Sequence, residues 1–405
     1  MRILHTSDWH LGQHFIGCSR AAEHSAFLQW LAEQAEQLQI DAIIVAGDLF
    51  DTATPPSYAR ELYNQFTVSL QRIGCQLVVL AGNHDAAAVL NESKGLLHYL
   101  NTQVITTPSE QPEQQLIILK NRQQQNAAIL CAIPFLRPRD LLQSQRGQSA
   151  TDKASELQQA IHAHYQRLYA AAEVCNASQQ HKLPVIMTGH LTTVGAKTTE
   201  SVRDIYIGTL EALPASAFPP ADYIALGHIH KSQQVNAQHD IRYSGSPIAL
   251  SFDEANQQKQ LWLIEFNGRE KTVTSVPIPC FQPLKSISSS LDELKEHVGK
   301  AVSVLAPEQR LWLELVITEQ DGYLSDLQQQ VEQQLAEFPV DLLRLRRQRT
   351  TAVNTLQAQS QISLTELTPE QVWQSRLQQE TLSAEQQQQL NALHQQVLAT
   401  VLENT

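Results

Sequence analysis

Five short polar motifs stand in a fixed order along this chain, each at the end of an apolar run. They are Asp8-Trp9-His10, Gly47-Asp48, Gly82-Asn83-His84-Asp85, Gly189-His190 and Gly227-His228-Ile229-His230. Asp8 and Asp48 offer two carboxylates, Asn83 an amide, and His10, His84, His190, His228 and His230 five imidazoles, all at strand ends. Ligands in α/β sheets bind beyond the carboxyl ends of buried parallel strands. Hard oxygens mixed with imidazole nitrogens suit Mn²⁺ or Fe²⁺. Few structural needs call for such a set, whereas a pair of divalent metals gripping a phosphate does.

Composition narrows the class. The chain has 405 residues, 42% of them hydrophobic, enough for two or three domains with a sizeable core. A formal net charge of −12 excludes a generally basic nucleic-acid binder, but not a nuclease whose positive field comes from metals, local arginines or a partner. The five cysteines (Cys18, Cys75, Cys131, Cys175 and Cys280) are scattered and form no Cys-x-x-Cys pair, which predicts reduced thiols. The strand-like opening Met1–His5 leaves no room for a signal peptide, and no apolar run approaches a membrane span, so a soluble cytoplasmic protein is expected.

Apolar runs at Ile3–Thr6, Ala42–Ala46, Leu77–Ala81, Ala128–Ile133, Pro184–Thr188 and Tyr223–Leu226 alternate with helical patterns at Ala21–Gln39, Ser57–Gly74 and Thr151–Cys175. This grammar predicts a layered α/β domain. Ile241–Tyr243, Leu261–Phe266 and Val273–Pro277 are expected as strands of a second sheet packed on the first. A small α/β domain fits the next stretch, with a helix at Leu291–Val298, a strand at Leu311–Ile317, a helix at Asp326–Phe338 started by a capping box at Ser325–Gln328, and a strand at Val340–Leu345. The Gln-rich tail carries helix starts at Thr368-Pro369-Glu370-Gln371 and Ser383-Ala384-Glu385-Gln386. Leu390, Leu393, Val397 and Val401 then share one face, a stripe too narrow for a core and suited to docking on its own chain or a partner; runs such as Gln386–Gln389 also fit solvated low-complexity surface. The expected boundaries are 1–280, 281–348 and 349–405.

Taken singly, the motifs admit plain readings. Asp8 and His10 lie two apart, on one side of a strand by alternation, but also fit a helix cap and a surface histidine. Asp48 can bridge two cations with its two oxygens or serve as an N-cap. His84, next to Asn83, is expected to point elsewhere and act on substrate, with Asp85 orienting its ring. His228 and His230 repeat the spacing of Asp8 and His10. Two dications less two carboxylates leave a site charge near +2, which suits a hydroxide and a phosphodiester.

In this order the motifs resemble the metallophosphoesterase superfamily. His5–Gly12, Gly47–Asp51, Ile133–Arg139, Tyr223–His230 and Tyr243–Pro247 are similar to its family of SbcD nuclease subunits. The resemblance implies a layered two-sheet α/β sandwich flanked by helices, with a small α/β capping domain and a C-terminal helical partner-binding segment. It implies that Asp8, His10, Asp48 and His230 serve one metal, that Asp48, Asn83, His190 and His228 serve the other, and that His84 is the catalytic histidine. It further implies a Mn²⁺-dependent DNA exonuclease and endonuclease that opens hairpins, homodimeric and bound to two SbcC-type SMC-like ATPase subunits. No P-loop occurs in the chain, as expected if the ATPase is a separate subunit. Some family members carry a histidine where this chain has Asp51, so Asp51 stays outside the expected catalytic set.

Arg137 and Arg139 follow a predicted strand and are candidate phosphate contacts, with Lys197, Arg203 and Lys231 near the later histidines. Arg344–Arg349 is the dense basic cluster, for DNA or for an acidic face of the ATPase. A phosphatase or cyclic-nucleotide phosphodiesterase shares the five motifs but not the residues between them. A non-catalytic scaffold has no need of His84.

Overall fold

The apolar runs form strands covered on both faces, which is why they read as continuous rather than alternating. The computed structural model describes residues 1–142, 149–202, 212–236, 240–268, 270–318, 324–348, 373, 390, 391, 393 and 394. In chain order the elements are β1 (Arg2–Thr6), a short hairpin of β2 (His14–Phe15) and β3 (Cys18–Ser19), α1 (Ala21–Gln37), β4 (Ala42–Ala46), α2 (Ser57–Arg72), β5 (Gln76–Leu80), α3 (Ala87–Glu92), α4 (Lys94–Tyr99), β6 (Thr102–Ile105), β7 (Leu116–Lys120) and β8 (Asn126–Cys131). There follow α5 (Pro138–Leu141), α6 (Ala150–Ala177), β9 (Val185–His190), β10 (Tyr223–Gly227), β11 (Gln233–Asn236), β12 (Ile241–Tyr243), β13 (Gln260–Asn267), β14 (Glu270–Pro277), β15 (Leu284–Ser289), α7 (Leu294–Val302), β16 (Leu311–Ile317), α8 (Leu324–Leu335) and β17 (Val340–Arg347).

Two six-stranded sheets, ordered β14-β13-β1-β4-β5-β6 and β11-β12-β10-β9-β8-β7, pack face to face. Residue parity decides the layers. In β4, Ile43 and Val45 point to α1 and α2, while Ala42 and Ile44 point between the sheets. In β10, Ile224 and Leu226 point to the side of α6, and Tyr223 and Ala225 point inward to meet Ile44 and Leu80. The result is a layered α/β sandwich, as expected. The division of strands differs from the expectation. Of the three late strands only Ile241–Tyr243 joins the second sheet; β13 and β14 complete the first, with Ile264 opposite Ile3 on β1. The open edge of β1 needed a partner, and nothing local in the sequence tells which sheet has that edge free.

The third sheet, β15-β16-β17, is parallel, and α7 and α8 cover one face. Along β16, Leu311, Leu313, Leu315 and Ile317 meet the helices. Trp312, of opposite parity, clusters with Phe15, Phe252 and Leu284 and stacks on Phe15 at 5.7 Å. The strand β15 escapes sequence reading because Lys and Ser interrupt its apolar residues. The helix α8 starts at Leu324, two residues before the expected start, and ends three residues before the expected end.

Residues 1–347 form one compact unit and 348–405 a second. In the second, the described residues Trp373, Leu390, Asn391, Leu393 and His394 are helical. Trp373 donates to Asn391 Oδ1 at 2.9 Å and stacks on His394 at 4.4 Å. Val397, Val401, Arg349 and the two expected helix starts lie outside the described residues, as does Arg203. No helix among the described residues is long and apolar enough to cross a membrane.

Candidate metal centre

All five motifs meet at one end of the sandwich, where parallel strands of both sheets stop. Strand alternation is not what aims them. β1 ends at Thr6, and Asp8 and His10 then adopt left-handed backbone with φ of 53° and 46°. Asp48 (φ 50°) and His228 (φ 92°) do the same just past β4 and β10. Such conformations cost non-glycine residues free energy and persist where surrounding contacts impose them, often at functional sites. Here the Asp8 N–H donates to the Gly47 carbonyl at 3.0 Å, and His10 N–H to the Asp48 carbonyl at 3.1 Å. The glycines make room: a Cβ on Gly47 would strike the His190 ring, and one on Gly82 the Asp48 carboxylate.

Asp48 sits at the middle. Its Oδ2 lies 3.2 Å from His190 Nε2 and 3.7 Å from His10 Nε2, and its Oδ1 accepts from the His84 N–H at 2.9 Å. Asp8, fully buried, accepts from the His228 N–H at 2.9 Å and from Ser7 Oγ at 2.6 Å. His190 Nδ1 donates to the Ala46 carbonyl at 2.9 Å, which leaves Nε2 for Asp48 and for Asn83 Oδ1, the latter at 2.9 Å. Three sets of donors each bring their ligand atoms within 4.8 Å of one another: Asp8 with His10 and His230, Asp48 with His190 and His228, and His10 with Asp48 and His84. The Nε2 atoms of His10 and His228 are buried and lack any hydrogen-bond partner among the described residues. Buried nitrogens are costly to leave unsatisfied, and these two are ready for cations.

Electrostatics agree with a cation site. Burial resists ionisation of Asp48, but the imidazoles of His190 and His10 outweigh it and hold the carboxyl well below the usual range. Burial likewise opposes a proton on His190, yet the Asp48 and Asp8 carboxylates raise it to about 9. His10 is raised too, burial being overcome by Asp51, Asp48 and Asp8. Burial and then His190 hold His228 well below its ordinary value. Anionic oxygens thus attract positive charge into a dry cluster, which a divalent ion supplies better than protons do.

Residues 1–232 match the family model of calcineurin-like phosphoesterases, and residues 280–381 match a "Type 5 capsule protein repressor C-terminal domain". The chain is 48% identical over 402 residues to the SbcD component of the SbcCD nuclease of Escherichia coli strain K12, covering 99% of this chain and 98% of that one. It is 35% identical to the SbcD component of Rhodobacter capsulatus, over 73% of this chain and 76% of the relative, and 31% identical to that of Bacillus subtilis, over 78% and 79%. The chain belongs to the SbcD family. Members of the wider calcineurin-like family bind divalent metals, and the donor groups above are this chain's candidates for that role.

Several expected roles change within this SbcD-type centre. Asp85 does not orient the His84 ring. Its carboxylate accepts from the backbone N–H groups of Leu49, Phe50 and Gly82, at 3.1, 2.9 and 2.9 Å, and ties the Asp48 loop to the Asn83 loop. Burial and the Asp48 charge push it up to about 6. The His84 ring is held instead by the Asp51 carbonyl, which accepts from Nδ1 at 2.7 Å. The Asp51 carboxylate takes His10 Nδ1 at 3.2 Å. Asp51, outside the expected catalytic set, therefore serves both histidines; only its place after Gly47-Asp48 hinted at this.

Arg137 turns inward. Its Nη2 donates to the carbonyls of Asp85 at 2.9 Å and Gly82 at 3.5 Å, and its guanidinium lies over the Phe135 ring. That fixes the loop bearing Asn83 and His84 rather than presenting a free charge. Arg139 remains exposed, 3.7 Å from Asp140. Arg344 and Arg346 both pair with Glu314, at 3.2 and 3.3 Å, so the basic cluster is partly neutralised. His24, on α1, is fully buried, and burial with Arg20 and His10 lowers it to about 3.

Proposed function

We propose that this chain is a divalent-metal DNA nuclease in which Asp8, His10, Asp48 and His230 hold one ion and Asp48, Asn83, His190 and His228 a second. The carrying observation is Asp48, a buried carboxylate set between His10 and His190 with both oxygens engaged. Mixed oxygen and nitrogen donors suit Mn²⁺ or Fe²⁺, and we take Mn²⁺ as the ion. When bound, two such ions acidify a water and stabilise charge on a phosphodiester.

The chain's own residues do the rest. His84, its Nδ1–H tied to the Asp51 carbonyl, keeps Nε2 in a fixed direction to pass a proton to the departing oxygen. Asp85 and Arg137 hold the loop from which His84 and Asn83 project. Arg139, exposed beyond β8, is our candidate for meeting a backbone phosphate.

Residues 1–280 then form the nuclease domain, 281–348 a cap, and 349–405 a helical segment that docks an SbcC-type SMC-like ATPase. The working particle is a homodimer of this chain with two ATPase subunits in the cytoplasm, acting as a 3′→5′ exonuclease and hairpin endonuclease. Support comes from the relatives' description as one component of SbcCD and from the paired helical residues Trp373 and His394. The test is cleavage of an end-labelled DNA hairpin by the purified chain with Mn²⁺, beside His84→Asn. Wild-type cutting with an inert variant that still binds metal is expected. Loss of metal from His84→Asn would make His84 a ligand, and rapid phosphomonoester hydrolysis with inert DNA would replace the nuclease reading.

A further inference from the structure

We propose that Glu254 is a positioning residue for His230, acting through Ser201 to keep the imidazole proton on Nδ1 and the Nε2 lone pair free for an ion. The inference rests on the metal-centre reading above and adds residues that lie outside all five motifs.

The geometry settles the proton count. His230 Nδ1 lies 2.6 Å from Ser201 Oγ, and Ser201 Oγ also makes a short hydrogen bond to Glu254 Oε1. A hydroxyl has one proton. An ionised carboxylate only accepts, so Ser201 donates to Glu254 and must accept from His230 Nδ1–H. Thr199 Oγ1 spends its one proton on the same Oε1 at 2.8 Å and so cannot donate to Ser201 Oγ, 3.1 Å away, which leaves His230 as the donor to Ser201. His230 Nδ1 is 3.6 Å from Glu254 itself, too far for a direct hydrogen bond, so Ser201 is the relay.

Glu254 is kept ionised and immobile from its other side. It is fully buried, and its Oε2 accepts from Lys259 Nζ at 2.6 Å and from the Leu250 N–H at 3.1 Å. Lys259 places its remaining protons on Ser246 Oγ at 2.9 Å and the His230 carbonyl at 3.1 Å, so all three are used. A buried ion pair so completely hydrogen-bonded has one arrangement of donors and acceptors. The chain Lys259, Glu254, Ser201, His230 therefore runs in one direction and ends on the His230 ring. Metal-bound histidines commonly hand their other nitrogen to such a partner, whose loss costs about 10–100-fold in metal affinity.

Glu254→Gln keeps the shape but reverses the chain. Lys259 demands an acceptor, so the amide nitrogen must face Ser201, which then donates to His230 Nδ1 and moves the proton to Nε2. Ser201→Ala removes the relay while leaving the Glu254–Lys259 pair intact, and Ser201→Thr restores the hydroxyl. Two readouts decide. The first is the His230 tautomer in metal-free full-length chain with ¹⁵N-labelled histidine, assigned by loss of its signals in His230→Gln. The second is Mn²⁺ binding by calorimetry and paramagnetic resonance. We expect Nδ1–H in wild type and Ser201→Thr, Nε2–H in Glu254→Gln, and no fixed tautomer in Ser201→Ala. The last two should lose affinity at one of two Mn²⁺ sites by about 10–100-fold, with the spin-coupled pair signal replaced by that of a single ion. Wild type and both variants alike in tautomer and in binding two Mn²⁺ would overturn this inference alone. A wild-type chain that binds no Mn²⁺ would overturn the metal-centre reading instead.

Discussion

In the proposed centre protons and metal would compete for His190, and the competition would set a steep pH dependence for metal binding. Its Nδ1 donates to the Ala46 carbonyl, so Nε2 is the atom that both a proton and an ion would take. Burial lowers the affinity of that nitrogen for a proton, but Asp48 and Asp8 raise it to about 9 from an ordinary value of 6.5. Below about pH 9 an arriving ion must displace a proton, and the apparent affinity falls about tenfold for each pH unit lost. Between pH 9 and pH 7 this single group weakens binding by about 100-fold, or about 2.7 kcal/mol at 1.36 kcal/mol per unit. An ordinary histidine would cost almost nothing over that range. His10, also raised, steepens the slope, while His228, held low, adds nothing. The sign is fixed: affinity rises with pH and levels off near 9. Calorimetric Mn²⁺ titrations in two buffers of different ionisation enthalpy, at steps from about pH 6.5 to 8.5, measure both affinity and protons released. About one proton released on loading the site that takes His190 is expected near pH 7.5. Affinity independent of pH, with no proton released, would refute the reasoning. The same proton stabilises the metal-free fold below pH 6.5, and that contribution is lost as pH rises through about 9.

Three further outcomes are expected. Gly82→Ala drives a methyl into the Asp48 carboxylate and should cut cleavage about 100-fold, the scale of a 1 Å misplacement, with little change in the melting of the core; near-normal activity would show that the loop yields. Trp312→Ala empties the stack on Phe15 and should cost about 3 kcal/mol in denaturant unfolding, and a loss under about 1 kcal/mol would mean that this cluster does not secure the third sheet. Deleting residues from about 350 should leave metal binding intact and abolish capture of the ATPase in a pull-down, whereas retained capture would move the docking surface into residues 1–347.

What the sequence determined by itself was periodicity and punctuation. Runs such as Ala42–Ala46 are apolar at every position because a parallel strand between two layers is buried on both faces, and that signal is local. Gly-Asp and Gly-His after such runs were legible for the same reason: a residue type and its neighbour suffice to mark a strand end with chemistry on it. Tertiary structure alone decided how those ends are aimed. Asp8, His10, Asp48 and His228 reach the centre through left-handed backbone held by hydrogen bonds between segments far apart in the chain, which no spacing rule encodes. It decided that β13 and β14 close the first sheet, because an open edge is a property of the assembled sheet and not of the strand that fills it. It assigned Asp85 and Arg137 to backbone groups, and Asp51 and Glu254 to histidines, because a charged side chain in a dry interior goes to whatever partner the fold brings within about 3 Å, and sequence carries no record of that distance.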